Sequence, residues 1–137
     1  MPVPSGNEPT ETKGVKLQLS RPEGLYQITG YGTNFVTVNG TRHDRSLLIS
    51  AQQLVSDWPV PSMEQLAACN FAAVLDLNPE VVLLGTGTRL HFPTSDVVRP
   101  LIEAKIGFEV MDTGAACRTY NFLMAEGRQV LAALIIA

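Results

Sequence analysis

The feature that most constrains this chain lies in its second half, where short apolar runs alternate with stretches of helical pattern. Residues 81–84 form an apolar run that ends in Gly85-Thr86-Gly87. Residues 108–111 lead into Asp112-Thr113-Gly114, and residues 129–136 are apolar almost throughout. Apolar runs of roughly four to eight residues with turn residues at their ends suit strands covered on both faces. Strand, turn, helix and strand in succession is the grammar of a parallel βαβ unit. The last of these strands, the most apolar, belongs in the middle of the sheet.

The intervening elements are read from their ends. Ser62, with Gln65 three residues later, has the form of a capping box and predicts a helix through Met63, Leu66 and Ala67 to Leu75, stopped by Pro79. Ser95 predicts a second helix to Lys105, with Val97, Val98, Leu101 and Ile102 as its apolar stripe, Pro100 as a kink and Gly107 as its stop. Asp112 or Thr113 caps a third helix to Glu126, with Gly127 as the residue that ends it. Nearer the start, residues 27–31 and 35–38 are β-rich, and Asn39-Gly40 is the strongest short hairpin signal. Residues 41–50 read as the return strand, with a non-alternating end at Ser46-Leu47-Leu48-Ile49 that predicts cover on both sides. The expected fold is therefore α/β: a three-layer domain with a mixed, largely parallel central sheet, flanking helices and an N-terminal antiparallel β-hairpin extension.

Composition bounds the rest. The chain has 137 residues, 45% of them hydrophobic and 17% charged, enough apolar material for one core and too little charge for an intrinsically disordered chain. Residues 1–14, with Pro2, Pro4 and Pro9, offer almost nothing to bury and are expected to be a disordered tail; residues 15–137 are the single α/β domain. That start has neither the apolar stretch of a secretory signal nor the Arg-rich pattern of a transit peptide, so a cytoplasmic protein is expected. A net charge of -3 gives no footprint for nucleic acid. The longest apolar run, eight residues, is far short of the ~20 that span a bilayer. Cys69 and Cys117 make no disulfide framework, and His43 and His91 lack the paired spacing of a metal site, so no cofactor or metal is expected.

In an open α/β sheet, ligands bind beyond the carboxyl ends of parallel strands, beside helix N-termini. The candidate cleft is thus formed by Gly85, Thr86, Gly87, Asp112, Thr113, Gly114, Cys117, Arg118 and Asn121, and a small anionic ligand would suit the free N–H groups of the third helix. The plainer reading of the same residues is that the glycines permit turns, the threonines cap, and Arg118 pairs with Asp112 or a backbone carbonyl. Cys117 near the first turn could be a dipole-activated thiolate, but a small buried thiol is the commoner fate of such a residue. Asp112-Thr113-Gly114-Ala115 also spells the active-site string of aspartic proteases. Only 23 residues follow Gly114, and the first of them have helical pattern, where such an enzyme needs more β-sheet. No catalytic residue is assigned.

Residues 79–87, the run from Gly107 through Asp112-Thr113-Gly114-Ala115-Ala116-Cys117-Arg118-Thr119-Tyr120-Asn121, Glu126-Gly127-Arg128 and the segment from Asn39-Gly40 to Ile49 together resemble a family of small α/β domains of unknown function. That family includes the mitochondrial respiratory complex I assembly factor 3 and an adipogenesis-associated cytosolic relative. The resemblance implies a three-layer α/β fold, no established enzymatic activity, and partner contacts as the way its mitochondrial members assist assembly. A non-enzymatic binding or assembly-assisting module with a protein partner is the expectation; the alternative is a small-molecule binder or enzyme using the cleft. The sequence does not fix the oligomeric state.

Overall fold

The computed structural model describes residues 24–137; the tail assigned to residues 1–14 and the domain's first stretch, 15–23, lie outside the described residues. Three strands open the described chain: β1 (Ile28–Gly32), β2 (Phe35–Val38) and β3 (Thr41–His43) form an antiparallel sheet of their own. Asn39 and Gly40 both take positive φ, 50° and 86°, the mirror-image turn that matches strand twist. A five-stranded sheet follows, built from β4 (Leu47–Ser50), β5 (Leu54–Val55), β6 (Val81–Gly85), β7 (Gly107–Met111) and β8 (Val130–Leu134), in the order β5-β4-β8-β6-β7. β8, β6 and β7 run parallel, β4 pairs antiparallel with β8, and β5 pairs antiparallel with β4 at the edge.

β8 is central, as its unbroken apolarity requires. Its alternate residues face two separate cores. Val130, Ala132, Leu134 and the following Ile136 pack with α3 (Thr113–Ala125) and the small sheet, whereas Leu131, Ala133 and Ile135 pack with α1 (Ala72–Asp76), α2 (Ser95–Glu103) and Trp58. Every residue of β8 is buried. Three layers result: α3 with the hairpin sheet, the central sheet, and α1 with α2.

Several elements depart from their sequence expectations. The return strand of residues 41–50 is two strands: Thr41–His43 pairs with β2, and Leu47–Ser50 crosses into the other sheet beside β8. Ser46, buried at that crossing, ties the chain to Val60 and Ile136. The helix expected from Met63 to Leu75 is broken into 3-10 turns at Met63–Gln65 and Ala68–Phe71, and only Ala72–Asp76 is α-helical. Ser62 makes no side-chain cap; the side chain of Asn70 instead reaches back to the Ala67 N–H at 2.8 Å. Burial of Leu66, Phe71 and Val74 against the sheet shapes this stretch, at a spacing that a single straight helix would not satisfy.

In α2, Thr94 rather than Ser95 is the N-cap residue, the helix runs on through Pro100, and Ile102 is turned out to solvent at 53% exposure. Its stop is not Gly107 but Lys105, at φ 59°, with Lys105 N–H donating to Ile102 and Ile106 N–H to Leu101, a Schellman closure. α3 ends in the same way with the expected glycine: Gly127, φ 83°, donates to Met124, and Arg128 donates to Leu123. A Cβ at Gly127 would meet nothing within 4 Å, so Gly127→Ala isolates the conformational cost of a left-handed alanine. It should destabilise the domain by about 1 kcal/mol in urea denaturation; an unchanged midpoint would show that this closure contributes little.

Candidate functional site

The two loops at the carboxyl ends of β6 and β7 lead to helices on opposite faces of the sheet, the arrangement that opens a crevice in α/β folds. Here the loops bond to one another across it. Thr86 N–H donates to the Met111 carbonyl at 2.9 Å, Thr113 N–H to the Gly87 carbonyl at 2.8 Å, and Gly87 N–H to Thr113 Oγ1 at 2.8 Å. Thr113 Oγ1 in turn donates to the Ile135 carbonyl at 2.8 Å, and Ile135 N–H to the Gly85 carbonyl at 2.9 Å. Thr86 Oγ1 donates to the Arg89 carbonyl at 2.5 Å. Gly85 is enclosed, with the space a Cβ would need already bordered by Thr113 and Leu134.

Asp112 stands at the junction of β7 and α3 as its N-cap, and its Oδ1 accepts from Ala115 N–H at 2.8 Å. A helix therefore follows the Asp-Thr-Gly string, which disposes of the protease reading. Because asparagine can accept the same bond, Asp112→Asn should cost less than about 1 kcal/mol and Asp112→Ala about 1 kcal/mol. Equal losses in the two variants, measured by denaturant titration, would mean that the carboxylate charge and not the cap bond matters.

Arg118 meets neither Asp112 nor a carbonyl. It donates to the Tyr31 hydroxyl, with its guanidinium carbon 5.8 Å from the centre of that ring. Asn121 holds the edge of β1 as a strand would: its Oδ1 accepts from Ile28 N–H at 3.0 Å and its Nδ2 donates to the Ile28 carbonyl at 2.7 Å. Tyr120, one residue earlier, donates to the Tyr26 carbonyl at 2.8 Å, and burial pushes its hydroxyl pKa up.

Cys117 is 1% exposed, and burial pushes its thiol up to about 12, opposed by neighbouring Arg118 and reinforced by Asp112. The dipole-activated thiolate is thus not what the fold builds, because desolvation outweighs the helix terminus. A thiol reagent at pH 8 should modify one equivalent, Cys69, in the native protein and two after unfolding. Two equivalents in the native protein would contradict this placement. Since the unfolded thiol ionises near 9.0 and the folded one near 12, the benefit of burying it neutral is complete below pH 9 and is lost as pH rises toward 12.

Seven of the nine candidate residues fall around two cavities that share Tyr31, and the other two, Gly85 and Thr86, are buried and border neither. One, of about 320 Å³, is bordered by Gly87, Asp112, Thr113 and Gly114 together with Thr88, Ile135 and Ile136. The other, of about 130 Å³, is bordered by Cys117, Arg118 and Asn121 together with β1. Tyr31, Gly32, Thr33 and Phe35, which roof the larger one, escape a reading confined to strand ends because they come from the hairpin. The signal that pointed to them is Gly114. A Cβ there would lie 2.9 Å from the Tyr31 ring, so the helix needs a glycine where the hairpin crosses it. The larger cavity has one carboxylate, Asp112, and no lysine or arginine among the residues that border it. Among the described residues no cluster of His, Cys, Asp or Glu could hold a metal ion. Nor is any helix of the described residues long and apolar enough to cross a membrane.

Residues 28–135 match the model of a family described as a protein of unknown function, DUF498/DUF598. The chain is 35% identical over 121 residues to the rat NADH dehydrogenase [ubiquinone] 1 alpha subcomplex assembly factor 3, a match covering 87% of this chain and 64% of that protein. The chain thus spans a little under two thirds of the length of that relative. A crystal structure of a Bordetella parapertussis protein superimposes with a TM-score of 0.79 at 39% identity, over 85% of this chain and all of the other. A Xanthomonas campestris protein solved by NMR gives 0.75 at 39% identity, over 88% and 92% of the two chains. The three-layer α/β arrangement with a mixed sheet is common to them.

Proposed function

This chain belongs to the DUF498/DUF598 family, and on that premise we propose that it is a non-enzymatic module that assists the assembly of a respiratory NADH dehydrogenase through contact with a protein partner. One observation carries the reading beyond the relatives' names. The Thr113 hydroxyl at the strand ends and the Arg118 guanidinium and Asn121 amide along α3, which a catalytic site would keep for a substrate, are engaged in holding the loops and the hairpin together. Tertiary structure spends them on shape. Shape is what a docking module needs, and the segment after β6 presents Leu90 and Phe92 at 54% and 68% exposure.

The tagged chain, purified from the cells that encode it, should carry NADH dehydrogenase subunits with it. The double change Leu90→Asp and Phe92→Asp should release them while leaving the melting temperature within a degree or two. If no such subunit is enriched and cells lacking the gene assemble the enzyme normally, the proposal fails.

The 320 Å³ cavity supports a second reading, a small-molecule site. Asp112 repels an anion there, so a small anionic ligand would have to engage Arg118 in the neighbouring cavity. A thermal-shift screen separates the readings, since a ligand at 100 times its Kd stabilises a fold by about 2.7 kcal/mol.

A further inference from the structure

Among the described residues, Arg45, Arg99 and Arg128 form ion pairs with Asp57, Asp96 and Glu80 at 3.6, 2.5 and 2.7 Å. Arg42, Arg89 and Arg118 form none, and all three stand around the cavity roofed by Tyr31. Arg118 donates to the Tyr31 hydroxyl, and the guanidinium carbon of Arg42 lies 4.2 Å from the centre of the Phe35 ring. Arg89 directly follows Gly87 and Thr88, in a turn that the bond from Thr86 Oγ1 to its carbonyl holds closed. Tyr31, Phe35, Gly87 and Thr88 all border that cavity. Lys105, which also forms no ion pair, precedes β7 at the opposite end of the sheet. The three arginines are exposed. A guanidinium that lies on a ring, or is bound through one N–H, still presents the rest of its five donors to a carboxylate.

Leu90 and Phe92 continue the same loop past Arg89, both exposed, and Tyr31 is exposed on the hairpin beside it. Aromatic and aliphatic side chains interleaved with arginines make the centre of a protein interface. Charge selects the occupant. Asp112, on the border of the cavity, is engaged as the cap of α3, and His91 has Glu64 within electrostatic reach, so the arginines carry the attraction. A bilayer or a nucleic acid presents negative charge continuously, and a chain of net charge -3 repels it beyond these three residues. A segment with a few carboxylates between apolar residues meets the arginines alone.

We propose that this end of the molecule docks an extended acidic segment of a partner protein, whose apolar side chains lie on Leu90 and Phe92 and in the cavity beside Tyr31 and Phe35, and whose carboxylates reach Arg42, Arg89 and Arg118. The inference rests on the docking reading above and gives its partner a chemistry.

A displayed library of random peptides, panned on the full chain, reads that chemistry without a guessed sequence. Recovered peptides should be rich in aspartate and glutamate around leucine or phenylalanine; a basic enrichment, or none, overturns the proposal. A recovered peptide should shift the amide signals of Tyr31, Gly32 and Thr88 and leave those of Asn78 and Gly127, at the other end of the sheet, in place; the reverse pattern overturns it. The double change Arg42→Glu and Arg89→Glu should weaken that peptide at least about ten-fold, and lysines in place of its acids should restore binding to the double variant. Equal affinity for the variant and the parent chain overturns the proposal. So do vesicles of phosphatidylcholine and phosphatidylglycerol that shift the same amides when no peptide does, because the face would then meet a membrane. The outcomes also separate this inference from the assembly role. If the arginine variant loses the peptide and cells carrying it still assemble NADH dehydrogenase normally, the acidic partner stands and the assembly role falls. If the arginine variant still brings down the subunits that Leu90→Asp with Phe92→Asp releases, the acidic partner falls and the docking reading stands.

Discussion

Ser46→Ala is expected to lower the stability of the domain by about 3 kcal/mol, although it removes a single oxygen. Ser46 is 3% exposed, and its Oγ donates to the Val60 carbonyl at 2.6 Å while accepting from Ile136 N–H at 2.9 Å. Its own carbonyl accepts from Trp58 N–H at 3.0 Å. Alanine leaves a buried donor and a buried acceptor without partners, and each such orphan costs about 1–3 kcal/mol. The loss should reach the loop that carries Trp58 and Val60, both buried in the core beneath α1 and α2. Urea unfolding followed by tryptophan fluorescence reads the stability, and hydrogen exchange at Ile136 reads the local release. A change below about 0.5 kcal/mol would mean that water enters and takes both bonds.

The second large effect is at Asn121. Asn121→Ala should cost about 2 kcal/mol, because the two bonds to Ile28 are the side-chain equivalent of a strand pairing at the free edge of β1. Asn121→Asp discriminates between packing and polarity. It keeps the acceptor for Ile28 N–H, yet it sets a carboxylate against the Ile28 carbonyl, so it should cost at least as much as alanine. The hairpin is the part that should loosen, with amide exchange at Ile28 and Thr29 rising before that of β8. If exchange rises uniformly with the loss of global stability, Asn121 is not what fastens the hairpin.

These residues also mark how far the sequence reaches. The parallel strands, the Asn39-Gly40 turn, the cap at Asp112 and the ending at Gly127 were all legible, because each is set by forces that act over a few residues. Apolar runs must be buried, a left-handed turn favours glycine or asparagine, and a carboxylate accepts from the free N–H groups that begin a helix. Where the expectation failed, a distant partner had intervened. The segment from Met63 to Leu75 gives up one helix for three short turns so that Leu66, Phe71 and Val74 can reach the sheet. The strand of residues 41–50 divides because its second part pairs with β8, more than 80 positions away, at Ser50 and Leu131.

The candidate site shows the same division. By itself the sequence placed the glycines, hydroxyls and Asp112 at the ends of β6 and β7 and set Arg118 and Asn121 further along the helix that follows, since strand order along the chain and helical spacing suffice for that. What those groups do was decided only in three dimensions. The hairpin of β1 and β2 folds over α3, Tyr31 takes Arg118, Ile28 takes Asn121, and Ile135 takes Thr113. A hydrogen-bonding group in a sequence carries its chemistry but not its partner. The partner is chosen by whichever group the packing of the two cores brings within about 3 Å, and here that packing left the strand ends bonded to the protein itself.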